Sequence, residues 1–148
     1  MFRGSYSARV DDKGRFKIPA DFLQGLQEKY GDEGEFFVTS WNGQFARLYP
    51  LREWAQLEKK LSQAGSVNPA RKKFLNLVNY YGQQATLDKQ GRLLVPTVLR
   101  ESADLKGEVT VLGSINCIDV WNKQRYLEDI RKNPLTADDL KALDELGV

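Results

Sequence analysis

Apolar residues recur along this chain with two different spacings, and each change of spacing marks a predicted element. The residues just before Asp11 predict an edge strand, and residues 16–18 predict a second short strand after a turn. Beyond Pro19 the apolar positions change to helical spacing as far as Tyr30, and Gly31 predicts the end of that helix. The chain therefore begins with a strand, a tight loop, a strand and a helix.

A hairpin and an amphipathic helix are predicted next. Residues 35–40 and 45–49 flank a turn that contains Asn42-Gly43, the dipeptide most typical of a short hairpin. From Leu51 to Leu61 the apolar residues again lie on one helical face.

The same order of elements occurs twice. Residues 10–19 align with residues 87–96 at a constant offset, so that apolar, Asp, Gly, Arg, apolar, β-branched and Pro positions match in turn. A shorter helix carrying Val98, Leu99 and Ala103 follows, and then a second hairpin in which residues 108–112 and 117–121 flank the turn 113–116. A duplicated unit is the firmest inference from the pattern.

Two segments lie outside the duplication. Residues 62–69 predict a linker, after which a helix capped by Asn68 joins the two copies. Its basic run, residues 71–73, is either a solvated face or a second phosphate-contacting surface. A tail helix capped by Thr136 is expected to be mobile or to pack against another subunit. The predicted segments are residues 1–61 (first repeat), 62–81 (linker and connecting helix), 82–131 (second repeat) and 132–148 (tail).

Composition narrows the class of protein. The 148 residues are 41% apolar and 28% charged, as in ordinary globular proteins, and no apolar run reaches membrane-helix length. One cysteine and the lack of a signal-like amino terminus lead us to expect a cytoplasmic protein. With no histidine and one cysteine, a Cys/His zinc site is excluded, and we expect no metal, cofactor or small-molecule substrate.

Charge is distributed unevenly along the chain. The formal net charge is only +2, yet residues 1–74 carry 13 Lys/Arg against 9 Asp/Glu, whereas residues 75–148 carry 9 against 11. This asymmetry indicates an electropositive end and an acidic tail.

The repeated loop, Asp-x-x-Gly-Arg, admits two arrangements. The aspartate and the arginine can pair across the turn, or the aspartate can hold the backbone while the arginine presents its fork to phosphate or guanine. On the residues alone, simple turn closure and DNA contact are equally supported. Lys13 and Lys89 would add phosphate-binding charge, and Arg9 and Lys17 flank the first copy.

An enzyme is the second hypothesis, in which Asp11 and Asp88 form a carboxylate pair or a magnesium site. Each aspartate lies beside an arginine and a lysine, and no phosphate-binding glycine loop or nucleophile motif is present, so we expect no enzymatic activity. A third hypothesis is a ring-forming interaction scaffold with only non-specific affinity for DNA.

Several motifs together resemble the bacterial MraZ family, over nearly the whole chain up to about residue 130. They are the initial Met-Phe-Arg-Gly, Leu48-Tyr49-Pro50-Leu51 with Trp54, Asn68-Pro69, and both copies of the loop. The resemblance implies an α+β fold in which two tandem AbrB-like swapped-hairpin units interleave into one pseudo-twofold, β-barrel-like domain with flanking helices. It also implies a nucleoid-associated transcriptional regulator, usually a repressor, of the division and cell wall gene cluster. Such a regulator forms homo-oligomeric rings, octamers or dodecamers, and binds short direct repeats of double-stranded DNA in its own promoter.

Carried over to this sequence, the signature of the family falls on Asp11 and Arg15 and again on Asp88 and Arg92, and it implies that the aspartates fix the loops and the arginines contact DNA. Together with the glycines of the turns, the predicted loop-shaping residues are Asp11, Gly14, Asp88 and Gly91. Together with the neighbouring basic residues, the predicted DNA-contacting residues are Arg15, Lys13, Arg9, Lys17, Arg92 and Lys89. The second copy has Gln90 in place of Lys13 and Lys89 in place of Asp12, so we expect Arg15 rather than Arg92 to make the more important contact.

Overall fold

The computed structural model describes residues 1–148 and contains eight strands and six helices, which confirms the α+β class. The strands are β1 (Ser5–Val10), β2 (Arg15–Lys17), β3 (Glu35–Thr39), β4 (Ala46–Pro50), β5 (Gln83–Thr86), β6 (Arg92–Leu94), β7 (Gly107–Ser114) and β8 (Cys117–Asn122). The helices are α1 (Ala20–Tyr30), α2 (Leu51–Gln63), α3 (Pro69–Tyr81), α4 (Thr97–Ser102), α5 (Lys123–Lys132) and α6 (Ala137–Glu145).

The two copies of the repeat exchange strands. Six strands form an antiparallel sheet in the order β1-β7-β8-β4-β3-β5, and β2 pairs with β6 in a separate two-stranded ladder. Strand β1 of the first copy pairs with β7 of the second, and β5 of the second pairs with β3 of the first. A pseudo-twofold axis therefore passes between β4 and β8 and through the β2·β6 ladder, as an interleaved pair of swapped hairpins requires.

The sheet is not closed into a complete barrel, although the resemblance implied a barrel-like domain. Strands β1 and β5 are its two edges, and they do not pair with each other. The chain leaves each edge through one of the repeated loops and enters the β2·β6 ladder, whose strands have only three residues each. Because β2 and β6 bond to one another rather than continuing the large sheet, the ladder lies across the open side instead of closing it.

One hydrophobic core joins both copies. It contains 19 buried residues, and the β2·β6 region contributes Phe16, Ile18, Leu93 and Val95, each at most 1% exposed. Alternation along a strand directs neighbouring side chains to opposite faces. Burial of Phe16 and Leu93 therefore fixes which side of the ladder faces solvent.

The connecting segments differ in detail from the prediction. Helix α2 extends to Gln63, so the linker is shorter than expected, and Asn68 caps α3 as predicted by accepting backbone N–H bonds. The second hairpin turn is also tighter, since β7 runs on to Ser114. An isolated bridge between Phe2 and Ile115 extends the pairing there.

The carboxyl-terminal helices add no fully buried side chain to the core. Neither α5 nor α6 contains a buried residue, although α6 begins with the predicted cap, a capping box between Thr136 and Asp139. No helix is both long and apolar enough to cross a membrane.

Candidate nucleic-acid interface

Loop 1, residues 11–14, is closed by one carboxylate that uses both of its oxygens. Asp11 Oδ1 accepts hydrogen bonds from the backbone N–H of Lys13 at 3.0 Å and of Arg15 at 2.9 Å. Asp11 Oδ2 accepts from Arg15 Nε at 3.0 Å, with Arg15 Nη2 also at 3.0 Å. The two arrangements considered from the sequence thus occur together, since the aspartate both holds the backbone and pairs with the arginine.

Loop 2, residues 88–91, repeats this geometry. Asp88 Oδ1 accepts from the backbone N–H of Gln90 and of Arg92, each at 2.9 Å, and Asp88 Oδ2 accepts from Arg92 Nε at 2.8 Å. Both loop glycines have positive φ, +86° at Gly14 and +73° at Gly91, a conformation that glycine adopts without steric cost. Each arginine meets its aspartate through Nε, so the Nη1 end of the guanidinium points away from this contact.

Both carboxylates are held in their charged form. The backbone N–H of Arg15, together with its guanidinium, lowers the pKa of Asp11, and Arg92 lowers the pKa of Asp88 in the same way. A lowered pKa stabilises the folded loop above the ordinary aspartate range, and this stabilisation is lost as the pH falls through the lowered pKa. The carboxylates therefore help to close the loops at neutral pH, and this contribution is lost on acidification.

The ladder ties the two loops into one unit. Val95 donates its backbone N–H to Gly14 O at 2.9 Å, and Ile18 donates to Gly91 O at 3.0 Å. Each loop is thus fixed by the strand of the other copy. Arg15 and Arg92, which directly follow the two loops, are consequently held in fixed positions relative to each other.

The outward side of the ladder carries four side chains, which we call the ladder face: Arg15, Lys17, Arg92 and Leu94. In the register of β2 with β6, Arg15 lies opposite Leu94, and Lys17 lies opposite Arg92. Arg15 and Arg92 are diagonal neighbours, with α-carbons about 7–8 Å apart in such a pair. The side chains of Arg15 and Arg92 are partly buried, at 32% and 29% exposure, whereas Lys17 is exposed. Three cations from two distant parts of the sequence therefore share one small surface.

The remaining predicted contact residues surround this surface. Arg9, at the end of β1, and Lys13 and Lys89, within the loops, all have exposed side chains. The structure thus brings all six predicted cations to the loops and to the strands that flank them.

Arg100 is a further cation at loop 1 that the sequence reasoning missed. A Cβ atom on Gly14 would lie 1.6 Å from Arg100 Nη1, so the guanidinium of this α4 residue packs directly on the glycine. Nη1 is buried without a hydrogen-bond partner, and Nη2 donates to Thr97 Oγ1 at 3.3 Å. At loop 2 the corresponding contact with Gly91 is made by Leu23. The repeat alignment, extended into the helices, pairs Leu23 with Arg100. This pairing is the signal in the sequence that could have revealed the different contacts at the two glycines.

The basic run in α3 does not join this surface through any contact with the ladder. Arg71 Nε donates to Leu61 O at 2.9 Å and so fastens α3 to the end of α2, while Lys72 and Lys73 are exposed. This geometry fits the interpretation as a solvated helix face with one structural arginine.

The hypothesis of a joint carboxylate site finds no support in the geometry. Both oxygens of Asp11 and of Asp88 are engaged by residues of their own loops. No group of three or more acidic, cysteine or histidine side chains is placed to hold a metal ion.

Comparison with known proteins identifies relatives along the full chain. A family model described as "MraZ protein, putative antitoxin-like" matches residues 1–77 and 82–146. A protein of Acidobacterium capsulatum named transcriptional regulator MraZ is 49% identical over 148 residues, covering 100% of both chains. Relatives with the same name from Koribacter versatilis and Pectobacterium carotovorum are 47% and 34% identical, the first over 100% of both chains and the second over 88% of this chain and 86% of its own.

Proposed function

Because the chain belongs to the MraZ family and its relatives are named transcriptional regulators, we propose that it regulates transcription by binding duplex DNA through the ladder face and the two loops. Proteins that carry this name are regulators rather than enzymes, and the chain is not an enzyme.

The observation that supports the DNA-binding surface is the geometry of the ladder. Burial of Phe16 and Leu93 forces Arg15, Lys17 and Arg92 to the opposite side, where no aspartate of another element neutralises them. Rigid loops present the arginines with little freedom left to lose on binding, and the guanidinium fork suits phosphate oxygens and the guanine edge. A surface of this kind has no evident role in holding the fold together.

The finer assignment follows the family resemblance. We infer that the protein is a cytoplasmic, nucleoid-associated repressor that binds short direct repeats in its own promoter, within the division and cell wall gene cluster. One copy offers few phosphate contacts, so its binding alone is weak and salt-sensitive. A homo-oligomeric ring, such as an octamer or dodecamer, engages successive repeats at once and raises the overall affinity without new contacts.

Helices α5 and α6 supply apolar surface for such an assembly. Leu127 and Ile130 of α5 and Leu140 of α6 are each about half exposed, and Leu146 is 77% exposed. Exposed apolar faces on two helices favour burial against another subunit. The same surface would serve the alternative function, a ring-forming scaffold with only non-specific DNA affinity.

A titration at moderate salt separates the two functions. The full-length protein is titrated into a duplex from the promoter of its own gene and into a shuffled duplex of equal length. A regulator binds the promoter duplex at least about 1,000-fold more tightly than the shuffled one. Equal affinity for the two duplexes would contradict regulation and support the scaffold.

For removal of the Asp11 side chain, the geometry of loop 1 and the loss of negative charge predict opposite changes in DNA affinity. Replacement Asp11→Ala removes a negative charge from a DNA-binding surface, which by Coulomb attraction alone would tighten binding. We expect weaker binding, by about tenfold, because Arg15 loses both the acceptor that orients its guanidinium and the fixed loop backbone. Fluorescence anisotropy with the promoter duplex measures the change.

Asp12→Ala is the matched control. Asp12 is the exposed neighbour in the same loop, and its removal changes the net charge by the same amount without removing a loop contact. This variant should bind as well as the parent protein or slightly better. If both variants tightened binding alike, the proposed role of Asp11 in shaping the loop would be wrong.

A further inference from the structure

The pseudo-twofold symmetry of the ladder face is broken at one position. The repeat alignment pairs Arg15 with Arg92, but it pairs Lys17 with Leu94. Leu94 is 47% exposed and does not belong to the hydrophobic core. The stability of the core therefore does not require an apolar residue at this position. An apolar side chain thus stands where the other copy has a lysine.

The surroundings of Leu94 are those of the proposed DNA-contacting surface. Leu94 lies directly opposite Arg15, and Arg92 points to the same side two residues earlier in β6. Val98, on the first turn of α4, is 43% exposed and is a second exposed apolar residue shortly after β6 in the chain. The cations beside Leu94 on the ladder face place it within reach of a duplex held by those cations.

The two copies also differ in the other residues that flank the ladder. Arg9, Lys13 and Lys17 of the first copy correspond in the alignment to Thr86, Gln90 and Leu94 of the second. Lysine and arginine chiefly bind the phosphate backbone, which carries no sequence information. Threonine, glutamine and aliphatic side chains are instead types that contact base edges.

A leucine can contribute little to phosphate binding, because it offers neither charge nor a hydrogen bond. Among the groups that line the major groove, the C5 methyl of thymine is the one that an aliphatic side chain recognises. We propose that Leu94 is a specificity-determining residue that packs against a thymine methyl group, while Lys17 at the equivalent position holds phosphate. This inference rests on the proposed DNA-binding function.

The experiment combines removal of the thymine methyl groups from the DNA with removal of the Leu94 side chain from the protein, each alone and both together. The promoter duplex is prepared with thymine throughout and, in parallel, with uracil in place of thymine, which lacks the C5 methyl. Full-length wild-type protein, Leu94→Ala and Lys17→Ala are titrated against both duplexes and against a shuffled duplex. Thermal unfolding of each variant verifies its fold, since both side chains are substantially exposed.

We expect the wild-type protein to lose about three- to fivefold in affinity per engaged site on the uracil duplex, as burial of one methyl group predicts. Leu94→Ala should bind the thymine duplex correspondingly less tightly and show no further loss on uracil. Lys17→Ala should weaken binding to every duplex, including the shuffled one, and keep the thymine preference of the wild type.

Two results overturn the role of Leu94 alone: wild-type protein that binds the promoter specifically but does not distinguish uracil from thymine, or a thymine preference that persists unchanged in Leu94→Ala. Wild-type protein that binds promoter and shuffled duplexes equally overturns the proposed function itself and this inference with it. The failures of the two proposals are therefore distinguishable.

Replacement Leu94→Lys provides a second test that does not depend on modified DNA. It restores the symmetry of the ladder face by adding a fourth cation. The variant should bind shuffled DNA more tightly, with a salt dependence steeper by about one unit in log–log slope, and its preference for the promoter should fall. Unchanged selectivity in this variant would contradict base reading by Leu94.

Discussion

Replacement Arg15→Ala is expected to abolish specific promoter binding while leaving the fold intact. Loss of one bidentate arginine contact costs roughly 10- to 100-fold in affinity per binding site, and the loss multiplies when several subunits bind together. The fold should be spared because Arg15 is partly exposed and Asp11 keeps its bonds to the backbone N–H groups of Lys13 and Arg15. Exposed ion pairs of this kind add little to stability.

Two companion variants make this result specific. Arg15→Lys keeps the charge but loses the planar fork and should recover only part of the affinity. Arg52→Ala also removes one positive charge, from an exposed α2 residue paired with Glu33, and should change promoter affinity by no more than about twofold. Normal promoter binding by Arg15→Ala would refute the assignment of this residue.

Replacement Phe16→Ala, one residue further along β2, should lower the stability of the fold as well as the affinity for DNA. Phe16 is 1% exposed in the main core, and deletion of such a side chain costs about 3–5 kcal/mol. That is a large part of the total stability of a domain, so the melting temperature should fall by about 10 °C. DNA binding should fall as well, because the strand that carries Arg15 and Lys17 loses its anchor.

Thermal unfolding and chemical denaturation measure this effect, and the adjacent residue again provides the control. Lys17→Ala lies on the exposed side of the same strand and should leave the melting temperature within about 2 °C of the parent. Phe16→Leu should lose less than half as much stability as Phe16→Ala, because most of the buried volume remains. A melting temperature for Phe16→Ala close to that of the parent would show that the ladder does not depend on its buried face.

The duplication allowed the main features of the fold and the loops to be predicted from the sequence. Matching Asp, Gly and Arg positions predicted two equivalent loops, and the glycines do adopt positive φ in both. The roles of Asp11 and Asp88 in shaping the loops follow from the short range of the contacts, since every partner lies within four residues. Local chemistry of this kind can be deduced without knowledge of the tertiary structure.

Contacts between distant segments were not accessible in the same way. The pairing of β2 with β6 joins residues more than seventy positions apart, and its register decides that Arg15 faces Leu94 and that Lys17 faces Arg92. Neither spacing nor periodicity determines this register. The same long-range pairing leaves β1 and β5 as open edges, so the sheet does not close into a complete barrel.

The pairing of Arg15 with Asp11 was one of two alternatives left open by the sequence, and the structure shows why both were reasonable. A carboxylate has two oxygens, and in each loop one binds the backbone while the other holds the guanidinium. The aspartates therefore orient the arginines rather than merely neutralising them. The role of the arginines in DNA contact stays a proposal.

Cleavage of promoter DNA from a probe on the ladder face tests the central claim most directly. Lys17→Cys is labelled with an iron chelate that cuts nearby DNA, and Lys141→Cys on α6 serves as the control position. Cys117 can remain, because it is buried and burial raises the pKa of its thiol. We predict regularly spaced cuts within the promoter repeats from position 17 and none from position 141. Cuts from position 141 with none from position 17 would contradict the assignment of the ladder face as the DNA-binding surface.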